Sequence, residues 1–108
     1  MATLAIRQIA ELYGEKVRSF LQPRMVILYG SQARGDADET SDIDVAVVVD
    51  RIDGDFLDAE IALYRARRGI DDRIEPVLLE YGRDPSGFLA SIMRTGDIVF
   101  SREGFSHR

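Results

Sequence analysis

The sequence predicts an α/β domain: a small mixed β-sheet of three to four strands with helices packed mainly on one face. Three observations predict it. Met25–Tyr29 and Asp42–Val49 are short apolar runs of strand length, the second rich in valine. Around them, apolar residues recur at steps of three and four, the helical period. The two patterns then alternate along the chain, as they do when helices cover a sheet.

Residues 3–21 read as a helix whose apolar stripe is Ile6, Ile9, Tyr13, Val17 and Phe20. Gly14 weakens its middle and Pro23 marks its end. Tyr13 and Tyr29 are expected in the core or at its rim rather than in chemistry. The continuous run MVILY at 25–29 suits a strand buried on both faces. A polar loop, Gly30–Ser41, follows with one helical turn after Ser31, and its Asp36, Asp38 and Glu39 read as solvated charges. Asp42–Val49 is the second strand, and Asp53-Gly54 turns the chain. Asp55–Arg68 is a helix capped by Asp55, with Gly69 beyond its end. Arg65, Arg67 and Arg68 suit the negative end of its dipole, with docking of an acidic partner protein as a second reading. The third strand is Arg73–Leu79, where Pro76 demands an edge or a bulge. Asp84-Pro85 opens a helix with Phe88, Leu89, Ile92 and Met93 as its apolar side and Gly96 as its stop. Ile98–Phe100 supplies a short further strand, and Ser101–Arg108 reads as a frayed tail.

Composition narrows the function. A chain of 108 residues is expected to form one domain, 1–108, with a single core. It is 45% hydrophobic and 31% charged, ordinary for a soluble globule, and no apolar run nears the ~20 residues that span a bilayer. It contains no cysteine, which excludes disulfides and thiolate zinc sites. The N-terminus lacks the pattern of a signal peptide, so a cytoplasmic location and no membrane partner are expected. The only histidine, His107, lies in the tail, which argues against histidine-centred chemistry. A net charge of −5 argues against direct binding of long nucleic acid, which needs a basic face.

The informative stretch is Leu28–Val49. Residues two apart in a strand share a face, so Asp42 and Asp44 project together while Ile43 points away. Adjacent carboxylates repel unless a cation lies between them, and hard oxygen ligands suit Mg²⁺. Gly30-Ser31, leaving a strand, offers backbone N–H groups and a hydroxyl to phosphate. Such a cradle beside metal-binding carboxylates points to metal-assisted phosphoryl or nucleotidyl transfer. Glu75 lies within an apolar strand where an unpaired carboxylate is costly. It reads as a third ligand, or else as the partner of an arginine such as Arg73. Arg34 has two readings, a phosphate contact or a tie to Asp36 or Asp38.

Gly30-Ser31, ten residues and then Asp42-Ile43-Asp44, with the inner words Ala33-Arg34-Gly35 and Ser41-Asp42-Ile43-Asp44, resemble the signature of the minimal nucleotidyltransferase (MNT) branch of the DNA polymerase β-like superfamily. The resemblance covers about Leu28 to Leu79. It implies the nucleotidyltransferase fold, with Asp42, Asp44 and Glu75 as metal and catalytic carboxylates and Gly30, Ser31 and Arg34 at the nucleotide. Many relatives have aspartate where Glu75 stands. Mg²⁺ and ATP are the implied cofactor and substrate. Stand-alone MNT proteins are often antitoxins that transfer AMP to a tyrosine of a HEPN ribonuclease toxin, which implies a HEPN-type partner here. Larger relatives hold the acceptor on further domains; here it is expected on a partner protein or a second copy of the chain. Two alternatives are a non-catalytic antitoxin that covers its toxin and a small-molecule nucleotidyltransferase.

Overall fold

A computed structural model describes residues 2–103. His107 and the end of the tail lie outside them. Eight elements follow in order: α1 (Leu4–Val17), β1 (Met25–Tyr29), α2 (Ser31–Arg34), β2 (Ile43–Val49), α3 (Phe56–Ala66), β3 (Ile74–Glu80), α4 (Phe88–Thr95) and β4 (Asp97–Ser101). The four strands form one mixed sheet in the order β3-β2-β1-β4. β1 is antiparallel to both β2 and β4, whereas β2 and β3 run parallel, joined across α3.

Both faces of the sheet are covered, which is why β1 and β2 are apolar apart from Asp44 near the start of β2. On one face, Ile6, Tyr13 and Val17 of α1 and Leu63 and Ala66 of α3 pack on Val26, Leu28, Ile43, Val45 and Val47. On the other, Leu89 and Ile92 of α4 meet Met25, Ile27, Ala46 and Val48. Two long helices thus share one side and the shorter α4 covers the other. The buried Tyr13 hydroxyl donates to the Leu63 carbonyl at 2.7 Å, tying α1 to α3.

Local chemistry explains the ends of the elements. Thr3 caps α1 by accepting from the Ile6 N–H, and Asp55 caps α3 by accepting from Leu57 and Asp58. α1 stops at Val17, earlier than its apolar stripe predicts, because Ser19, Phe20 and Leu21 bond back to Lys16 and Val17 and turn the chain toward Pro23. Phe20 is therefore 44% exposed instead of buried. α4 begins at Phe88 rather than at Asp84-Pro85, yet the Asp84 carboxylate still accepts from Leu89 and Ala90. Pro76 lies in β3, an edge strand, where its missing N–H costs no inter-strand bond. Ser101 belongs to β4, and Arg24, Asp50, Arg102 and Glu103 are linked by ion pairs at that end of the sheet. The start of the expected tail is therefore built into the fold. Among the described residues no helix is long and apolar enough to cross a membrane.

Candidate active site

Three strands bring Tyr29, Asp44 and Glu75 into one row. Tyr29 is the register partner of Asp44 across β1 and β2, and Asp44 is the partner of Glu75 across β2 and β3. Alternation puts all three on the α4 side of the sheet. Asp42, exposed and one residue before β2, has the same parity as Asp44.

The turn after β1 rests on Asp44. Gly30 has φ 78° and ψ −153°, a backbone region essentially reserved for glycine. A Cβ added there would stand 2.5 Å from Asp44 Oδ2. Glycine is thus required twice, for its dihedral angles and for the close approach of backbone to carboxylate. Ser31 begins α2 directly after this contact, and its carbonyl accepts from the Gly35 and Asp36 N–H groups, closing the turn.

The remainder of the loop determines where Asp42 stands. Gln32, buried at 6% exposure, donates from Nε2 to the Ser41 carbonyl at 3.3 Å. Asp38 Oδ1 accepts from the Thr40 N–H, the Thr40 hydroxyl and the Ser41 hydroxyl. These bonds, those from Thr40 foremost, hold the Asp38 carboxyl below the usual range. Arg73 reaches over to donate to the Glu39 carbonyl at 3.1 Å. Asp38 is therefore an exposed charge, as expected, and also a builder of the loop. The run Asp-x-Thr-Ser carries a signal for this, since aspartate readily accepts from N–H groups two residues on. Gln32 carries none, because an amide in a polar loop reads as solvated.

Charge accumulates around Asp44. Burial first, then the negative charges of Asp42 and Glu75, push its carboxyl above the ordinary range, and Arg34 pulls the other way. Tyr29 forms a wall of the site, its ring edge-on to Phe88 at 5.4 Å. Its phenol is pushed up to about 12, by burial first and then by Asp44, Tyr64 and Glu75. Arg34 pairs with Asp36 at 3.3 Å, both side chains well exposed, so the tie to Asp36 is present while its charge is also felt at Asp44.

Glu75 is turned toward an arginine, although not Arg73. Arg67, at the end of α3, donates from Nη1 to Glu75 Oε2 at 3.1 Å, to the Ile74 carbonyl at 2.9 Å and to the Asp72 carbonyl at 3.0 Å. Arg73 instead grips Asp71. Among the described residues no three histidine, cysteine, aspartate or glutamate side chains gather closely enough to hold a metal ion. Asp42 and Asp44 nonetheless have the donor chemistry for Mg²⁺: hard oxygens, and a carboxylate at Asp44 destabilised by its neighbours' charge, which a cation would relieve. Arg67 also lines a shallow groove of about 490 Å³ on the outside of α3, with Leu57, Ile61, Tyr64, Arg65 and Arg68.

A family profile described as polymerase beta, nucleotidyltransferase, matches residues 11–104. The chain belongs to the polymerase β nucleotidyltransferase family. The crystal structure of a Sulfolobus solfataricus protein, described provisionally as a nucleotidyltransferase, superposes with a TM-score of 0.67 and 25% identity. The match covers 91% of this chain and 82% of that one. No curated protein matches the chain. Family and fold together make nucleotidyl transfer the general reaction of this nucleotidyltransferase domain.

Proposed function

We propose that the protein is a Mg²⁺-dependent nucleotidyltransferase that transfers AMP from ATP to a tyrosine hydroxyl of a HEPN-type toxin, and so acts as its antitoxin. The observation that carries the catalytic part is the contact of the Gly30 turn with Asp44: a turn with the chemistry to receive phosphate lies against a carboxylate with the chemistry to hold a cation. In this reading Gly30 and Ser31 receive the triphosphate through backbone N–H groups and the Ser31 hydroxyl, and Arg34 adds positive charge beside it. Asp42 and Asp44 hold the cation, and Glu75 completes the set and assists removal of the acceptor's proton. Bound Mg²⁺ supplies charge neutralisation at the attacking and leaving oxygens. The acceptor oxygen bonds to the α-phosphorus as the bond to pyrophosphate breaks.

The acceptor part rests on the MNT resemblance and gains support from the surface. Leu57 is 61% exposed, and Ile61 and Tyr64 are each 41% exposed, beside Arg65 and Arg68. An apolar face of this kind next to the site is suited to a partner protein. The test is transfer of label from α-labelled ATP to the toxin. We expect Asp42→Asn with Asp44→Asn to abolish it, and undiminished labelling would sink the mechanism. If the double variant still neutralises the toxin when in excess, the antitoxin acts by binding alone.

A further inference from the structure

We infer that Arg67 is a positioning residue that competes with a divalent cation for Glu75, so that the third carboxylate joins Asp42 and Asp44 only when the Arg67–Glu75 ion pair opens. The inference rests on the metal-binding reading proposed above.

The geometry begins at the open edge of β3. The Ile43 N–H donates to the Arg73 carbonyl at 2.8 Å, so that carbonyl faces β2. Carbonyls alternate in a strand, and the next one, of Ile74, faces outward. Arg67 meets it there, and the same nitrogen takes Glu75 Oε2. Glu75 has the backbone position to face Asp44, its register partner, while its carboxylate is drawn to the strand's outer edge. Arg67 is itself well anchored, by two backbone carbonyls and by the Tyr64 ring 5.3 Å from its guanidinium carbon. The mobile partner of the pair is therefore Glu75.

Magnitude favours the exchange. The two side chains are 29% and 42% exposed, and a pair so exposed contributes little. A divalent cation already held by two carboxylates attracts a third far more strongly than one screened guanidinium does. Swinging Glu75 across leaves Arg67 with both carbonyl acceptors, so opening the pair strands no buried charge.

The test is Mn²⁺ affinity, read from the free-ion electron paramagnetic resonance signal, for the wild type, Arg67→Met, Arg67→Lys, Glu75→Gln and Arg67→Met with Glu75→Gln. Arg67→Met should bind about two- to fivefold more tightly, the size expected from losing an exposed ion pair. Arg67→Lys should fall between, and the gain should vanish in the Glu75→Gln background. Unchanged or weaker binding by Arg67→Met overturns the inference, as does a gain that persists without Glu75, which would be bulk charge alone. Should Arg67→Met fail to fold, the Arg67 side-chain Nε–H resonance of the wild type decides. Mg²⁺ must shift it in the wild type and leave it in place in Glu75→Gln; a resonance that stays put in both overturns the inference. Mn²⁺ binding that ignores Asp44→Asn instead removes the metal-binding reading itself, and the inference with it.

Discussion

Replacing Gly30 by alanine tests the packing on which the site depends. Two costs follow from the structure and they can be separated. At φ 78° and ψ −153° a residue with a Cβ costs about 1–3 kcal/mol in backbone strain. The new methyl would also stand 2.5 Å from Asp44 Oδ2, which forces that carboxylate off its rotamer at about 0.5–1.5 kcal/mol. In an Asp44→Ala background the nearest remaining atom of residue 44 is its Cβ, 3.6 Å away, an ordinary contact. Gly30→Ala should then cost only the strain. The double-mutant cycle therefore predicts a coupling of about 0.5–1.5 kcal/mol between the two positions. Urea denaturation of the four proteins measures it; in thermal melts each kcal/mol moves Tm by about 4–8 °C in a domain near this size. Gly54 provides the control, since its φ is also 78° and a Cβ there meets nothing within 4 Å. Its alanine variant should cost the same with or without Asp44. Equal costs for Gly30→Ala in the two backgrounds would refute the proposed contact.

Three further outcomes are expected. Asp44→Asn should raise folding stability at pH 7. The folded Asp44 carboxyl lies above its unfolded value, so the native state loses stability as pH rises through that window, and the gain from Asn should shrink as pH falls below it; melts at pH 7 and pH 3 compare the two. Gly14→Ala should stabilise by about 0.5–1 kcal/mol, because the position is helical and an added Cβ meets Val26 no closer than 3.7 Å; loss of stability in urea melts would show that the helix has no room there. Tyr13→Phe should cost about 1–2 kcal/mol in the same assay, since it leaves the buried Leu63 carbonyl without its 2.7 Å donor.

Much of this site is legible in the amino-acid sequence. Gly30, Asp42 and Asp44 are identified by spacing, because strand alternation alone forces the aspartates onto one face and a glycine between a strand and a polar loop marks a tight turn. Pro76 points to an edge strand for an equally local reason. Arg67 is not legible in this way. Three arginines at a helix end satisfy the dipole equally well, and only the packing of α3 beside β3 brings one of them to Glu75. Periodicity misplaces Phe20, because the apolar repeat persists past the point where hydrogen bonds turn the chain.

What the sequence determined by itself is thus the local chemistry: which segments are helices and strands, which residues can cap and turn, and that two carboxylates share one face beside a Gly-Ser turn. These depend on side-chain period and backbone preference, which act over a few residues. The tertiary structure decided the strand order, the row of Tyr29, Asp44 and Glu75, the seating of Gly30 on Asp44 and the hold of Arg67 on Glu75. Each of these joins segments that local preference leaves independent, and only the burial of two apolar faces on one sheet brings them into contact.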